Sequence, residues 1–175
     1  MPGTGIMTDA QMKSQAEQPF DTRHFKKTLG CFPTGIAIAT TLTADNRPSG
    51  LTISSFNSVS LEPPLILFSI DLSSTCLDDF RSSERFAINI LHTGQKQLCL
   101  DFSTPDFPRF EKTEYHISSH GVPLLADTAA YLSCEVEQRI IAGDHEIYIG
   151  RVLACDYTDK TPLLYGRGEI AHFPE

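Results

Sequence analysis

From Ala129 to Tyr157 the chain reads "AAYLSCEVEQRIIAGDHEIYIGRVLACDY", two runs of alternating β-formers around one Ala-Gly-Asp-His turn. Strand side chains alternate between faces, so the two runs form a long antiparallel hairpin, with Gly143 supplying a positive φ and Asp144 capping the turn through its side chain. The remaining patterns agree with a sheet protein. "GIAIATTLT", "LILFSI", Phe86 to Leu91, "EYHISS" and a closing strand around "PLLYGRGEIAHF" read as strands. Helices are few and short. "FDTRHFKKTLG" carries Asp21 as a cap, Phe25 and Leu29 one turn apart and Gly30 as a stop; "SSTCLDDF" has Ser73 or Ser74 as a cap with Leu77 and Phe80 on one face; a third covers "TGQKQLCLDF". Many strands without regular strand–helix alternation predict a mostly β fold, an antiparallel barrel with short peripheral helices.

Residues 1–18 lack periodicity and read as a flexible tail, leaving 19–175 as one domain with enough apolar content, 41%, for a real core. A net charge of −8 argues against nucleic acid as a partner. No apolar run approaches the ~20 residues of a membrane span and the N-terminus lacks a signal peptide's pattern, so a soluble, cytoplasmic protein with no membrane partner is expected. Five cysteines, Cys31, Cys76, Cys99, Cys134 and Cys155, are widely spaced, which indicates neither a zinc knuckle nor a disulfide framework. His116 and His120 lack a third ligand nearby, so no metal is expected. "GRGEIA" at Gly166 to Ala171 matches a dinucleotide-loop pattern, but the strand–loop–helix unit that gives such a loop its function has no room before Glu175.

One stretch is chemically unusual. "GLTISSFNSVSLEPPLILF", Gly50 to Phe68, places short hydroxyl side chains where a strand normally has charged residues outside and apolar ones inside. Read as a single strand, it puts Thr52, Ser54, Phe56, Ser58 and Ser60 on one face, a lining suited to a ligand polar at its edges and flat in the middle. The run Ser73, Ser74, Thr75 serves either as an ordinary cap or, through its N–H and O–H groups, as a cradle for phosphate. His145 exceeds what a turn requires and is a candidate ligand contact.

Together, "FPTGIAIATT", the hydroxyl stretch with Pro63-Pro64, "RFAINIL", "RF" at Arg109–Phe110, "GVPLL", the Gly-Asp-His hairpin and "PLLY" occur in an order that resembles the short-chain flavin reductase family, over about Phe20 to Phe173. These are the reductase components of two-component flavin monooxygenases, with a split-barrel flavin-binding fold. The resemblance implies a flavin, FMN or FAD, along the barrel wall at Pro33, Thr34, Gly35, Thr52, Ser54, Ser55, Phe56, Ser60 and Leu61. Further contacts come from Ser73, Ser74, Thr75 and Asn89, with Phe56 and Phe102 as apolar walls. Gly143, Asp144 and His145 are then expected to line the nicotinamide side. Cys31 is a departure, standing before "FPTG" where a basic or polar residue is expected.

The implied reaction is hydride transfer from C4 of NADH or NADPH to flavin N5, by stacking of the two rings, with no catalytic nucleophile and with His145 in support. The flavin either stays bound or leaves reduced to feed a partner monooxygenase. A homodimer with its site near the subunit interface is implied as well. Two other readings stay open: electron delivery to another acceptor such as a corrinoid or ferric chelate, and a non-catalytic flavin- or haem-binding split barrel.

Overall fold

The computed structural model describes residues 20–105 and 108–171; the tail expected over 1–18 and the last residues of the expected closing strand lie outside them. In chain order the elements are α1 (Thr22–Leu29), β1 (Thr34–Gly35), β2 (Ala37–Leu42), β3 (Pro48–Ile53), β4 (Asn57–Leu61), β5 (Pro64–Asp71), α2 (Leu77–Arg81), β6 (Arg85–Ile90), α3 (Lys96–Ser103), β7 (Tyr115–Ile117), β8 (Pro123–Leu125), β9 (Ala130–Ala142), β10 (His145–Tyr157), β11 (Leu164–Gly166) and β12 (Glu169–Ala171). No described helix is long and apolar enough to cross a membrane.

The hairpin forms with Gly143 and Asp144 as its two-residue turn, and Gly143 adopts φ 64°. It anchors a seven-stranded antiparallel sheet in the order β3-β2-β6-β9-β10-β5-β4. This sheet curls until inward side chains from its strands meet: Ala39, Ile53, Ile66, Phe68, Ile70, Phe86, Ile88, Cys134 and Tyr148 form one core, closed at one end by Leu77 and Phe80 of α2. Phe68 sits centrally, its ring 4.9 Å from Phe86, 5.2 Å from Tyr148 and 5.9 Å from Phe80. Phe86 fits only because residue 150 is glycine, since a Cβ there would lie 2.3 Å from Phe86 Cζ. Burial pushes the Cys134 thiol up to about 12, which keeps it neutral in this core. A second core packs α3 on the outer face of β2 through Ile38, Leu91, Cys99, Phe102, Leu125 and Leu163.

The largest departure from the sequence-based expectation concerns the hydroxyl stretch. It is two strands rather than one: β3 and β4 occupy opposite edges of the sheet, joined by Ser54–Phe56. Between them the chain crosses the seam of the barrel, where Ser55 Oγ accepts from the Ser69 N–H at 3.0 Å and donates to the Ser69 carbonyl at 3.2 Å. The register shifts again between Ser58 and Ser60, so the five residues from Thr52 to Ser60 do not share a face.

Smaller differences have local causes. Neither Ser73 nor Ser74 caps α2; Cys76 occupies the cap position, because Asp71 Oδ1 takes the Ser73 N–H and hydroxyl and thereby forms a separate turn before the helix. The closing strand is a hairpin of β11 and β12 that turns at Arg167–Gly168, which explains the glycine spacing of "GRGEIA". Asp21 caps α1 through Arg23 N and Gly30 ends it.

Candidate functional site

The residue types of α1 leave it loosely attached. It buries none of its residues, and Arg23, Lys26 and Lys27, spaced i, i+3 and i+4, share one face. The backbone N–H of Arg167 donates to Gly30 O at 2.7 Å, which fastens the β11–β12 turn against the end of the helix. Between these segments and the start of the β3–β4 crossing opens a cleft of about 1180 Å³. That exceeds the roughly 300–1,000 Å³ of an ordinary ligand pocket, so the space is ample for a nucleotide-sized ligand.

The cleft combines three kinds of surface. Leu29, Phe32 and Tyr165 are apolar; Thr34, Ser54 and Ser55 are short neutral hydroxyls; and Arg23, Lys26, Lys27 and Arg167 are cations. Thr34 Oγ1 is buried with no hydrogen-bond partner among the described residues, an arrangement that costs about 1–3 kcal/mol. Cys31, the departure noted from the sequence, also lines the cleft, and its thiol donates to Lys27 O at 3.5 Å.

Other sequence-predicted residues gather at the neighbouring end of the barrel. His145 pairs with Asp71 across β10 and β5, and Leu72 N donates to Asp144 O at 2.9 Å, so the Ser73–Thr75 run and the Gly143–His145 turn are adjacent. His145 Nδ1 lies 2.7 Å from Asp144 Oδ1. The Ser73 hydroxyl and N–H, with the nearby His145 ring, hold the Asp71 carboxyl below its usual range, so it stays ionised. Ser69, the partner of Ser55, and Asp71 are two residues apart on one face of β5, about 7 Å, which puts the two groups of residues on one stretch of wall.

Several predicted contacts are placed elsewhere. Asn89 is 0% exposed; its Nδ2 donates to Ile38 O and Thr40 Oγ1, and its Oδ1 accepts from Leu125 N, so the core consumes its polar atoms. Phe102 is 1% exposed and stacks edge-on with Phe110 in the second core. Thr52 Oγ1 donates to Cys99 O at 2.7 Å, tying β3 to α3. The structure therefore removes these three from the set facing the cleft. Pro33 packs near Gly166, Gly35 pairs with Leu164, and Phe56 packs on the barrel core. Ser60 and the exposed Leu61 sit at the tip of β4, away from the lining of the cleft. The cations were absent from the sequence reading, since nothing in the order of residues joins Arg167 to Lys27.

Comparison with known proteins bears on the family of the whole chain. Residues 29–174 match the flavin reductase like domain. The chain is 39% identical over 149 residues to a probable flavin reductase of Rhizobium meliloti, covering 85% of this chain and 48% of that one, so it spans about half that relative's length. It is 36% identical over 153 residues to FMN reductase (NADH) of Agrobacterium fabrum, covering 87% of each. The crystal structure of nitrilotriacetate monooxygenase component B from Mycobacterium thermoresistibile superposes with a TM-score of 0.84 at 32% identity, over 88% of this chain and 87% of that one. Sequence and architecture thus meet on one answer: the chain belongs to the flavin reductase like domain family.

Proposed function

We propose that the chain is an NAD(P)H-dependent flavin reductase that takes FMN or FAD into the cleft and supplies reduced flavin to a partner monooxygenase. The observation that carries this reading is a cleft wall in which Thr34, Ser54 and Ser55 stand beside apolar Leu29, Phe32 and Tyr165. Short neutral donors and acceptors beside apolar surface fit a flat ring system with a polar rim. A bound flavin supplies the acceptor for a hydride, whose two electrons leave the nicotinamide while solvent provides the accompanying proton.

The chain's own residues bind and orient. Thr34 and Ser54 meet the polar rim, and Ser55, committed to Ser69, keeps that wall rigid. His145, held by Asp144, presents its remaining ring nitrogen on the nicotinamide side. No nucleophile is needed, and free NAD(P)H as donor is consistent with a cytoplasmic setting.

A homodimer completes this reading. Phe25, Leu29 and Phe32 are exposed around the cleft, and the outer faces of β5 and β10 carry half-buried Leu65, Leu67, Ile147 and Ile149, surfaces that a second copy would cover.

The test is an anaerobic titration of protein plus FMN or FAD with NADH or NADPH, followed by visible absorbance. Bleaching of the flavin band at a catalytic protein concentration is expected. A flavin that binds but is not bleached by either nicotinamide points to a non-catalytic binder; bleaching followed by preferential transfer to a ferric chelate or corrinoid replaces the monooxygenase as acceptor.

A further inference from the structure

Beyond Val136 the long hairpin loses its neighbour on one side. β6 pairs with β9 only from Ala130 to Glu135, and the Val136 N–H donates to Glu84 O at 2.9 Å; from there to the turn β9 pairs, among the described residues, with β10 alone. On the other flank β5 accompanies β10 as far as the His145–Asp71 pair. A two-stranded ribbon is marginal by itself, so the end that carries His145 depends on what else grips it.

Where a strand is missing, charged side chains of the hairpin hold the chain between α2 and β6. Arg139 Nη2 donates to Ser83 O at 2.6 Å and lies 3.6 Å from Glu84 Oε1, and its guanidinium carbon stands 5.7 Å from the centre of the ring of Tyr148, its cross-strand partner. Arg81, the last residue of α2, donates through Nε to Glu146 Oε2 at 2.7 Å. The Glu146 side chain is only 8% exposed and shares the inner face of the barrel with Ile70 and Tyr148, so the adjoining His145 is turned to the opposite face. An apolar residue of similar volume often fills such a place with no loss of stability, because burying a carboxylate is costly even when it is paired. What the charged hydrogen bond adds is direction: it fixes the residue next to His145 to the helix that follows the Ser73–Thr75 run.

We propose that Arg81 and Glu146, supported by Arg139, are positioning residues for hydride transfer: they hold the hairpin turn against α2 so that His145 keeps the orientation in which it meets the nicotinamide. This rests on the assignment of His145 to the nicotinamide side in the proposed function. Neither Arg81 nor Glu146 lines the cleft, so they act through His145. The other restraints on the turn, the contact of His145 Nδ1 with Asp144 Oδ1 and the bond from Leu72 N to Asp144 O, lie among exposed residues, which leaves the half-buried ion pair as the rigid one.

The experiment measures steady-state oxidation of NADH and NADPH with FMN or FAD, together with flavin dissociation constants, for Glu146→Gln, for His145→Ala and for the two combined. Glutamine keeps the shape of glutamate and removes its charge, and circular dichroism verifies the fold. Arg81→Lys, which keeps a cation without the guanidinium geometry, runs the same cycle from the other side of the pair and serves where Glu146→Gln does not fold. Either variant is expected to raise KM for the nicotinamide about tenfold, to leave kcat and flavin affinity nearly unchanged, and to add nothing in the His145→Ala background, the pattern of residues coupled through one contact. An unchanged KM in the folded variants overturns the clamp, as does the same factor with and without His145, since a general loss of stability acts independently of that ring. An unchanged KM in His145→Ala overturns the nicotinamide assignment of His145, and the role of the clamp with it. Failure of the intact protein to reduce flavin with either nicotinamide overturns the flavin-reductase reading itself.

Discussion

Ser55 and Ser69 are joined by a pair of hydrogen bonds in which one hydroxyl does the work of a neighbouring strand, accepting from the Ser69 N–H at 3.0 Å and donating to its carbonyl at 3.2 Å. The pair seals the seam where the chain leaves β3 for β4, and it forms part of the cleft wall. Ser55→Ala strands the Ser69 N–H in a half-buried setting, a loss of about 1–3 kcal/mol. Urea denaturation should show that loss, and amide exchange at Ser69 should accelerate. Unchanged protection at Ser69 would mean that the seam closes without the hydroxyl.

Asn89 holds three segments together, bonding Ile38, Thr40 and Leu125. Asn89→Ala leaves several buried groups unpaired at roughly 1–3 kcal/mol each, so a marked drop in the denaturation midpoint is expected. Flavin affinity of the folded protein should not change. A variant with full stability and lost flavin affinity would return Asn89 to the cleft.

Tyr148 is 0% exposed and its hydroxyl has no well-formed hydrogen bond among the described residues, only a weak contact with the Arg139 side chain. Removing a poorly paired buried hydroxyl relieves its desolvation, so Tyr148→Phe should equal or exceed the intact protein in stability at neutral pH. Burial, then the Glu146 carboxylate, pushes the Tyr148 phenol up to about 12. An unfolded tyrosine ionises near pH ~10, so the folded state holds the proton more tightly; this contribution is intact below about pH 10 and fades as pH rises through about 12. Denaturation midpoints measured upward from neutral pH should therefore fall less steeply for Tyr148→Phe than for the intact protein.

His145 stands at the hairpin turn, paired with Asp144 and outside the lining of the main cleft. If it serves the nicotinamide, His145→Ala raises KM for NADH or NADPH and leaves the flavin dissociation constant nearly unchanged. A large loss of flavin affinity instead would move His145 to the flavin side. Steady-state kinetics together with equilibrium flavin titration separate the two outcomes.

Local chemistry made part of this protein legible from its residue order. The Gly143–Asp144 turn, the alternation on either side of it and the Asp21 and Gly30 ends of α1 depend on neighbours within a few positions, and each forms as its sequence dictates. Ser54 and Ser55 stand out within the hydroxyl-rich stretch and Thr34 through the family resemblance, and all three line the cleft. Periodicity fails where a long-range partner intervenes. It cannot register that Ser55 finds Ser69 and splits one apparent strand into two sheet edges, or that Asn89 and Phe102 face the core rather than solvent. Nor can it bring Arg167 to the cleft that Lys27 lines, because that placement depends on a backbone hydrogen bond between Arg167 and Gly30, residues far apart in the chain. Short-range sterics and alternation settled which segments are strands; barrel closure, which acts between distant segments, decided which side chains face the cleft.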